Sequence, residues 1–246
     1  MMNRTTIKKI LSCLVTSLFL VSSPFSSEAQ EVAGLSNRQE SIVAISALTA
    51  IGSIDKLKQT LNEALDAGLT VNEVKDVLVH VYAYAGFPRS FTGMMAFMSV
   101  MEERQVKGVK DEQGREASPV PADLNRDEYG AKVRAQLSGL DEVPPPAKWQ
   151  QFSPLIDKFL KEHLFADLFA RDILSFSDRE LATVAVLASI PVEGPLPYHL
   201  GAAMNTGLSK QQMQGFIKVL AEKVDKDKAA SADKILQKVL QQRQSP

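Results

Sequence analysis

The stretch Phe176–Glu222, FSDRELATVAVLASIPVEGPLPYHLGAAMNTGLSKQQMQGFIKVLAE, decides the fold, because the chain carries its layout twice. Leu35–Met98 follows the same plan. Each copy opens on a helix-cap motif, Ser36-Asn-Arg-Gln39 in the first and Ser177-Asp-Arg-Glu180 in the second, in which a hydroxyl accepts from an amide one turn on. An Ala-rich apolar segment follows, then a helix ending at Gly68-Leu-Thr or Gly207-Leu-Ser. A third helix is capped by Thr70-Val-Asn-Glu73 or Ser209-Lys-Gln-Gln212. Repetition on this scale sets the architecture before any other reading. The copies differ where chemistry would sit. Eight residues before the cap glycine stands His199 in the second copy but Thr60 in the first; three residues after the opening cap stands Glu180 but Gln39. Only the second copy holds a pair able to exchange protons.

Outward from this repeat the periodicity is helical throughout. Leu57, Leu61, Ala64 and Leu65 share one face, as do Val74, Val77, Leu78 and Val81. Gly68 supplies a residue that accepts a left-handed helix end, and Tyr84-Ala-Gly-Phe-Pro88 stops the next helix. Further helices are expected over 90–103, 127–140, 153–169, 177–190, 199–205, 209–223 and 230–243. Residues 107–123 form a charged, Pro-containing connector, and Asp141-Glu-Val-Pro-Pro-Pro146 a stiff one. The chain divides into residues 30–106, a first module; 107–150, a linker with one helix; and 151–246, a second module. This is an all-α protein of two tandem helical modules packed as a pseudo-dimer, since neither alone buries its apolar faces.

Residues 1–29 read as a cleaved secretory signal. Arg4, Lys8 and Lys9 precede the uncharged run Ile10–Phe25, and Ser27-Glu28-Ala29 offers a cleavage site. A periplasmic or secreted protein is expected, with no membrane association once the signal is removed. The one cysteine, Cys13, lies within that segment, so the mature chain has no thiolate, redox pair or disulfide. Cleavage moves the net charge from −1 to about −3, which offers nucleic acid no basic footing. The three histidines, His80, His163 and His199, stand in no metal-ligand spacing, and no Gly-rich phosphate loop occurs.

The run RELATVAVLASI…HLGAAMNTGLS, preceded by FLKEHLFADLFARD, resembles the carboxymuconolactone decarboxylase family, within the alkylhydroperoxidase D-like superfamily. So does SALTAIGSIDKLKQTLNEALDAGLTVNEVKDVLVHVYAYAGFPRS in the first copy. The resemblance covers nearly all of residues 36–223. It implies alkylhydroperoxidase D-like helical modules that assemble into rings; for a two-module chain, a homo-oligomeric trimer. Redox members of the superfamily use a glutamate, a Cys-x-x-Cys pair and, after three intervening residues, a histidine. Glu180 and His199 match the outer members, but Val192 and Pro195 occupy the thiol positions, as Ser53 and Lys56 do in the first copy. Peroxidase chemistry is therefore disfavoured.

The decarboxylase branch implies acid–base chemistry without a cofactor on a small carboxylated lactone or related acid. His199 is the candidate acid/base and Glu180 its orienting carboxylate. Arg171, Arg179 and Arg89 are candidate carboxylate clamps, Tyr198 a hydrogen-bond donor, and His80, near Tyr82 and Tyr84, a pocket residue. Structural readings stand beside these. Glu180 sits where a capping-box glutamate belongs, His199 could be a solvated helix start, and Arg171-Asp172 could be a helix-end ion pair. A non-catalytic helical binding or assembly protein is the alternative.

Overall fold

The computed structural model describes residues 34–191 and 194–244, so the leader read over residues 1–29 lies outside the described residues. The described residues belong to one unit, and every regular element among them is a helix. The first module comprises α1 (Asn37–Ile51), α2 (Ile54–Asp66), α3 (Val71–Ala85) and α4 (Phe87–Val106). Between the modules run α5 (Arg126–Leu137), α6 (Lys148–Phe152) and α7 (Pro154–Phe159), the last widening into a π-helix over Leu160–Leu168. The second module comprises α8 (Phe176–Ser189), α9 (Leu196–Asn205), α10 (Lys210–Val219), continued by a π turn over Leu220–Val224, and α11 (Lys226–Gln244).

The two Ala-rich segments make the central pair. Every residue of α1 from Ser41 to Ala50 is buried, as is α8 from Asp178 to Leu187, so both helices are covered all round. They pack on each other, while α3 crosses onto α8 and α10 onto α1, the exchange a pseudo-two-fold requires. Ile42, Ile45, Leu48, Leu57 and Leu61 join Leu181, Leu200, Met213 and Phe216 in one continuous core across the modules. Among the described residues no helix is long and apolar enough to cross a membrane.

The caps correct the register of the repeat. Ser36 caps α1 as expected, accepting from the Gln39 amide while the Gln39 side chain returns to the Ser36 amide. In the second copy the cap is Ser175 with Asp178, two residues before the expected Ser177 and Glu180. Ser36 with Ser175, Gly68 with Gly207 and Thr70 with Ser209 then follow one constant offset. In that register Thr60 stands opposite His199, but Ser41, not Gln39, stands opposite Glu180. Both first-copy residues are buried, and Ser41 donates to its own helix at Asn37 O.

The connectors do structural work. The Glu112 and Gln113 carbonyls accept the first amides of α3, from Val71 and Asn72. The segment expected as one amphipathic helix over 153–169 instead begins at Pro154 and broadens into π turns. That broadening accompanies the packing of Leu164, Phe165 and Leu168 against Val133 and Leu137 of α5. Gly130 permits the approach, because a Cβ there would collide with the Lys161 carbonyl.

Candidate active site

With Ser175 and Asp178 satisfying the start of α8, Glu180 has no capping duty, and its carboxylate turns into the protein, fully buried. His199 lies in the first turn of α9, a turn opened by Pro195 at the cap position and Pro197 just inside. Its amide donates to Pro195 O at 3.2 Å, closing the first turn of α9. His199 Nδ1 lies 2.9 Å from Glu180 Oε2. A carboxylate only accepts, so Nδ1 carries the hydrogen and Nε2 is left with the exchangeable lone pair. Glu180 Oε1 has no hydrogen-bond partner among the described residues.

Two tyrosines stand edge-on to this imidazole, Tyr84 of α3 at 5.4 Å and Tyr198 at 5.0 Å between ring centroids. Burial, reinforced by the Glu180 charge, pushes the Tyr84 hydroxyl well above its ordinary range. Burial also raises Tyr198, and the hydrogen bond between its hydroxyl and Ser138 Oγ at 3.1 Å offsets this only in part. Both phenols therefore remain protonated donors beside the histidine.

His199 and Tyr198 form one wall of a cavity of about 780 Å³, a volume suited to a small molecule. Ala83 and Tyr84 of the first module close a second side, and Leu160, Leu164 and Phe165 of the π-helix a third. The inter-module segment adds Arg134, Ser138, Trp149 and Gln150. Arg134 is the cavity's cation, and sequence reading missed it. Its Nη1 donates to Asp157 Oδ1 at 2.6 Å, and its guanidinium lies 5.8 Å from the centre of the Trp149 ring. Burial pushes the Asp157 carboxyl up, but hydrogen bonds from Arg134 and Gln150 outweigh it and hold it below its usual range.

The residues expected as clamps lie elsewhere. Arg179 is fully buried and donates from Nη2 to Asp76 Oδ2 at 2.7 Å and to Arg171 O at 2.6 Å. Arg171 donates to Asp76 Oδ1 at 2.6 Å, not to its neighbour Asp172, which pairs with Arg115 and Ser118. One aspartate of the first module thus holds both arginines of the second, behind the site and away from the cavity. Arg89 is exposed, its guanidinium filling the space beside Gly52 at the end of α1. None of the three borders the cavity.

His80 is also a core residue and not a cavity one. Thr183 donates its single hydrogen to Arg179 O, so its oxygen accepts from His80 Nε2 at 3.0 Å. His80 Nδ1 then faces Arg179 Nη1 at 3.4 Å as acceptor. Burial first, then the charges of Arg179 and His199, hold His80 well below its ordinary pKa, so it stays neutral. Of the former thiol positions, Pro195 borders the cavity and Val192 lies outside the described residues.

A family model described as "Carboxymuconolactone decarboxylase family" matches residues 25–97 and 154–238, one stretch in each module. A curated relative, 4-carboxymuconolactone decarboxylase of Acinetobacter baylyi, is 36% identical over 61 residues, 25% of this chain and 46% of that protein. The match spans less than half of that relative's length.

Proposed function

The chain belongs to the carboxymuconolactone decarboxylase family, and on that premise we propose that it performs acid–base chemistry, decarboxylation or isomerisation, on a small carboxylated lactone or related acid. The observation that carries this reading is the 2.9 Å His199–Glu180 pair, buried on one side and facing the cavity on the other. In decarboxylation the bond to the carboxylate carbon breaks, and its electron pair moves into the conjugated lactone carbonyl. Protonated His199 then delivers its Nε2 hydrogen to carbon, and CO2 leaves. Glu180 stabilises the imidazolium before that transfer and fixes the tautomer after it. In isomerisation the same nitrogen removes a proton from one carbon and returns it to another. Tyr198, held protonated on the cavity wall, is the donor to the enolate oxygen in this reading.

The relative's name supports this class of substrate, and the absence of any cysteine besides Cys13 argues against thiol peroxidase chemistry. The first module supplies scaffold, since Ser41 and Thr60 replace the proton-transferring pair. Export through the basic and apolar N-terminal segment is part of the proposal, as is self-association. The latter draws support from Phe87, Phe91, Met95 and Met98, an exposed apolar stripe at helical spacing on α4.

The test is a panel of small carboxylated lactones and keto acids followed for CO2 release and double-bond migration. His199→Ala should abolish turnover with the helical circular dichroism retained, and Thr60→Ala should leave the rate unchanged. Full activity in His199→Ala would overturn the assignment.

A further inference from the structure

Residues 98–153 fall between the two stretches that match the family, yet they build the outer wall of the cavity with Arg134, Ser138, Pro144, Trp149 and Gln150. The duplicated bundle therefore supplies the proton-transferring pair, while this intervening segment faces whatever binds. We infer that Arg134 anchors a carboxylate that the substrate keeps throughout the reaction, with Trp149 offering the flat face beside it. The inference rests on the acid–base reading of the same cavity.

The geometry of Arg134 fits an anchor. Asp157 takes only Nη1, and the guanidinium makes no other hydrogen bond to a described residue, which leaves Nε and Nη2 for a ligand. Asp157 is shared, since it also accepts from Gln150 Nε2 at 3.0 Å and lies 3.6 Å from Lys161 Nζ. Lys161 in turn pairs with Asp127, half of whose side chain meets solvent. Trp149 is nearly half exposed, a planar surface beside the cation.

The chemistry decides which carboxylate binds there. A guanidinium on the departing carboxylate would stabilise the ground state and lose its partner as CO2 forms, which slows the step. On a retained carboxylate it contributes equally before and during reaction, so it acts on substrate binding. The departing group is left to the apolar side of Leu160, Leu164 and Phe165. Ligands of this site are thus small unsaturated lactones or acids bearing one carboxylate remote from the reacting carbon.

Trp149 is the chain's single tryptophan, so its emission reports occupancy without any turnover. The full chain is titrated with muconolactone, an unsaturated lactone with one acetate arm, and with its methyl ester. The acid should change the emission saturably and bind about tenfold or more tighter than the ester. Arg134→Gln should weaken the acid by about tenfold or more and leave the ester within about twofold, which also shows the variant folded; Arg134→Lys should fall between. Equal affinity for acid and ester, an unaltered acid affinity in Arg134→Gln, or no saturable change with either compound would overturn the inference. Arg134-dependent binding with no turnover across the lactone panel would sink the enzymatic reading and leave the anchor standing. Turnover with no Arg134 dependence would do the reverse.

Discussion

Replacing Asp76 by Asn tests the finding that Arg171 and Arg179 belong to the scaffold. Asp76 and Arg179 are 0% and 1% exposed and meet at 2.7 Å, so neither charge has solvent to fall back on. Burial pulls the Arg179 guanidinium below its ordinary value, and Asp76 is the chief opposing influence. The substitution keeps the shape but strands that cation. Breaking a buried pair from one side costs about 3–5 kcal/mol. Arg171 adds little to the loss, because its side chain is 37% exposed and can rehydrate. A domain of this size loses about 2–4 °C of midpoint per kcal/mol, so the thermal midpoint should fall by roughly 6–20 °C. Differential scanning calorimetry at neutral pH reads the change. Adding Arg179→Met should recover much of it, since removing both charges of a buried pair is often close to neutral. A midpoint within about 2 °C of the parent for Asp76→Asn, or a double variant worse than the single one, would refute the reasoning.

Two further outcomes follow from the same geometry. His80 has a folded pKa below its unfolded value of about 6.5, so its stabilising contribution is complete above that pH and is lost as pH falls beneath it, by up to about 1.4 kcal/mol per unit. His80→Gln should therefore show a smaller drop in midpoint than the parent between about pH 7.5 and pH 5.5, and parallel curves would contradict the neutral assignment. Ser175→Ala should cost about 1 kcal/mol as a lost helix cap, while Ser177→Ala should cost a few tenths at most; the reverse order in urea denaturation would return the cap to Ser177.

The architecture was legible because its signals are local. The cap motifs and the glycines at 68 and 207 recur at fixed intervals, and they set helix ends wherever they stand. The one register error has a local cause too: Ser175-Phe-Ser-Asp178 and Ser177-Asp-Arg-Glu180 both satisfy the capping-box pattern, and only the fold selects between them. His199 and Glu180 stand out where the two copies differ and also match the family pattern, and the structure brings them together. The arginines were misplaced because their partner, Asp76, lies about a hundred residues away in the other module, a pairing no local pattern encodes. Arg134 went unnoticed for a related reason. It sits on a short helix of mixed character, and the partner that holds its guanidinium at the cavity, Asp157, stands 23 residues further on. The π turns themselves come from tertiary packing and leave no periodicity to read.

Proton tracing tests the acid–base account most directly. With a lactone from the panel that turns over, the reaction is run in D2O and the product examined by NMR. The account predicts one deuterium placed stereospecifically on the protonated carbon by the parent chain and a loss of about 10²-fold or more in rate for His199→Gln. Glu180→Gln should show a smaller loss, because its amide oxygen still accepts from Nδ1. Undiminished, equally stereospecific labelling by His199→Gln would contradict the account.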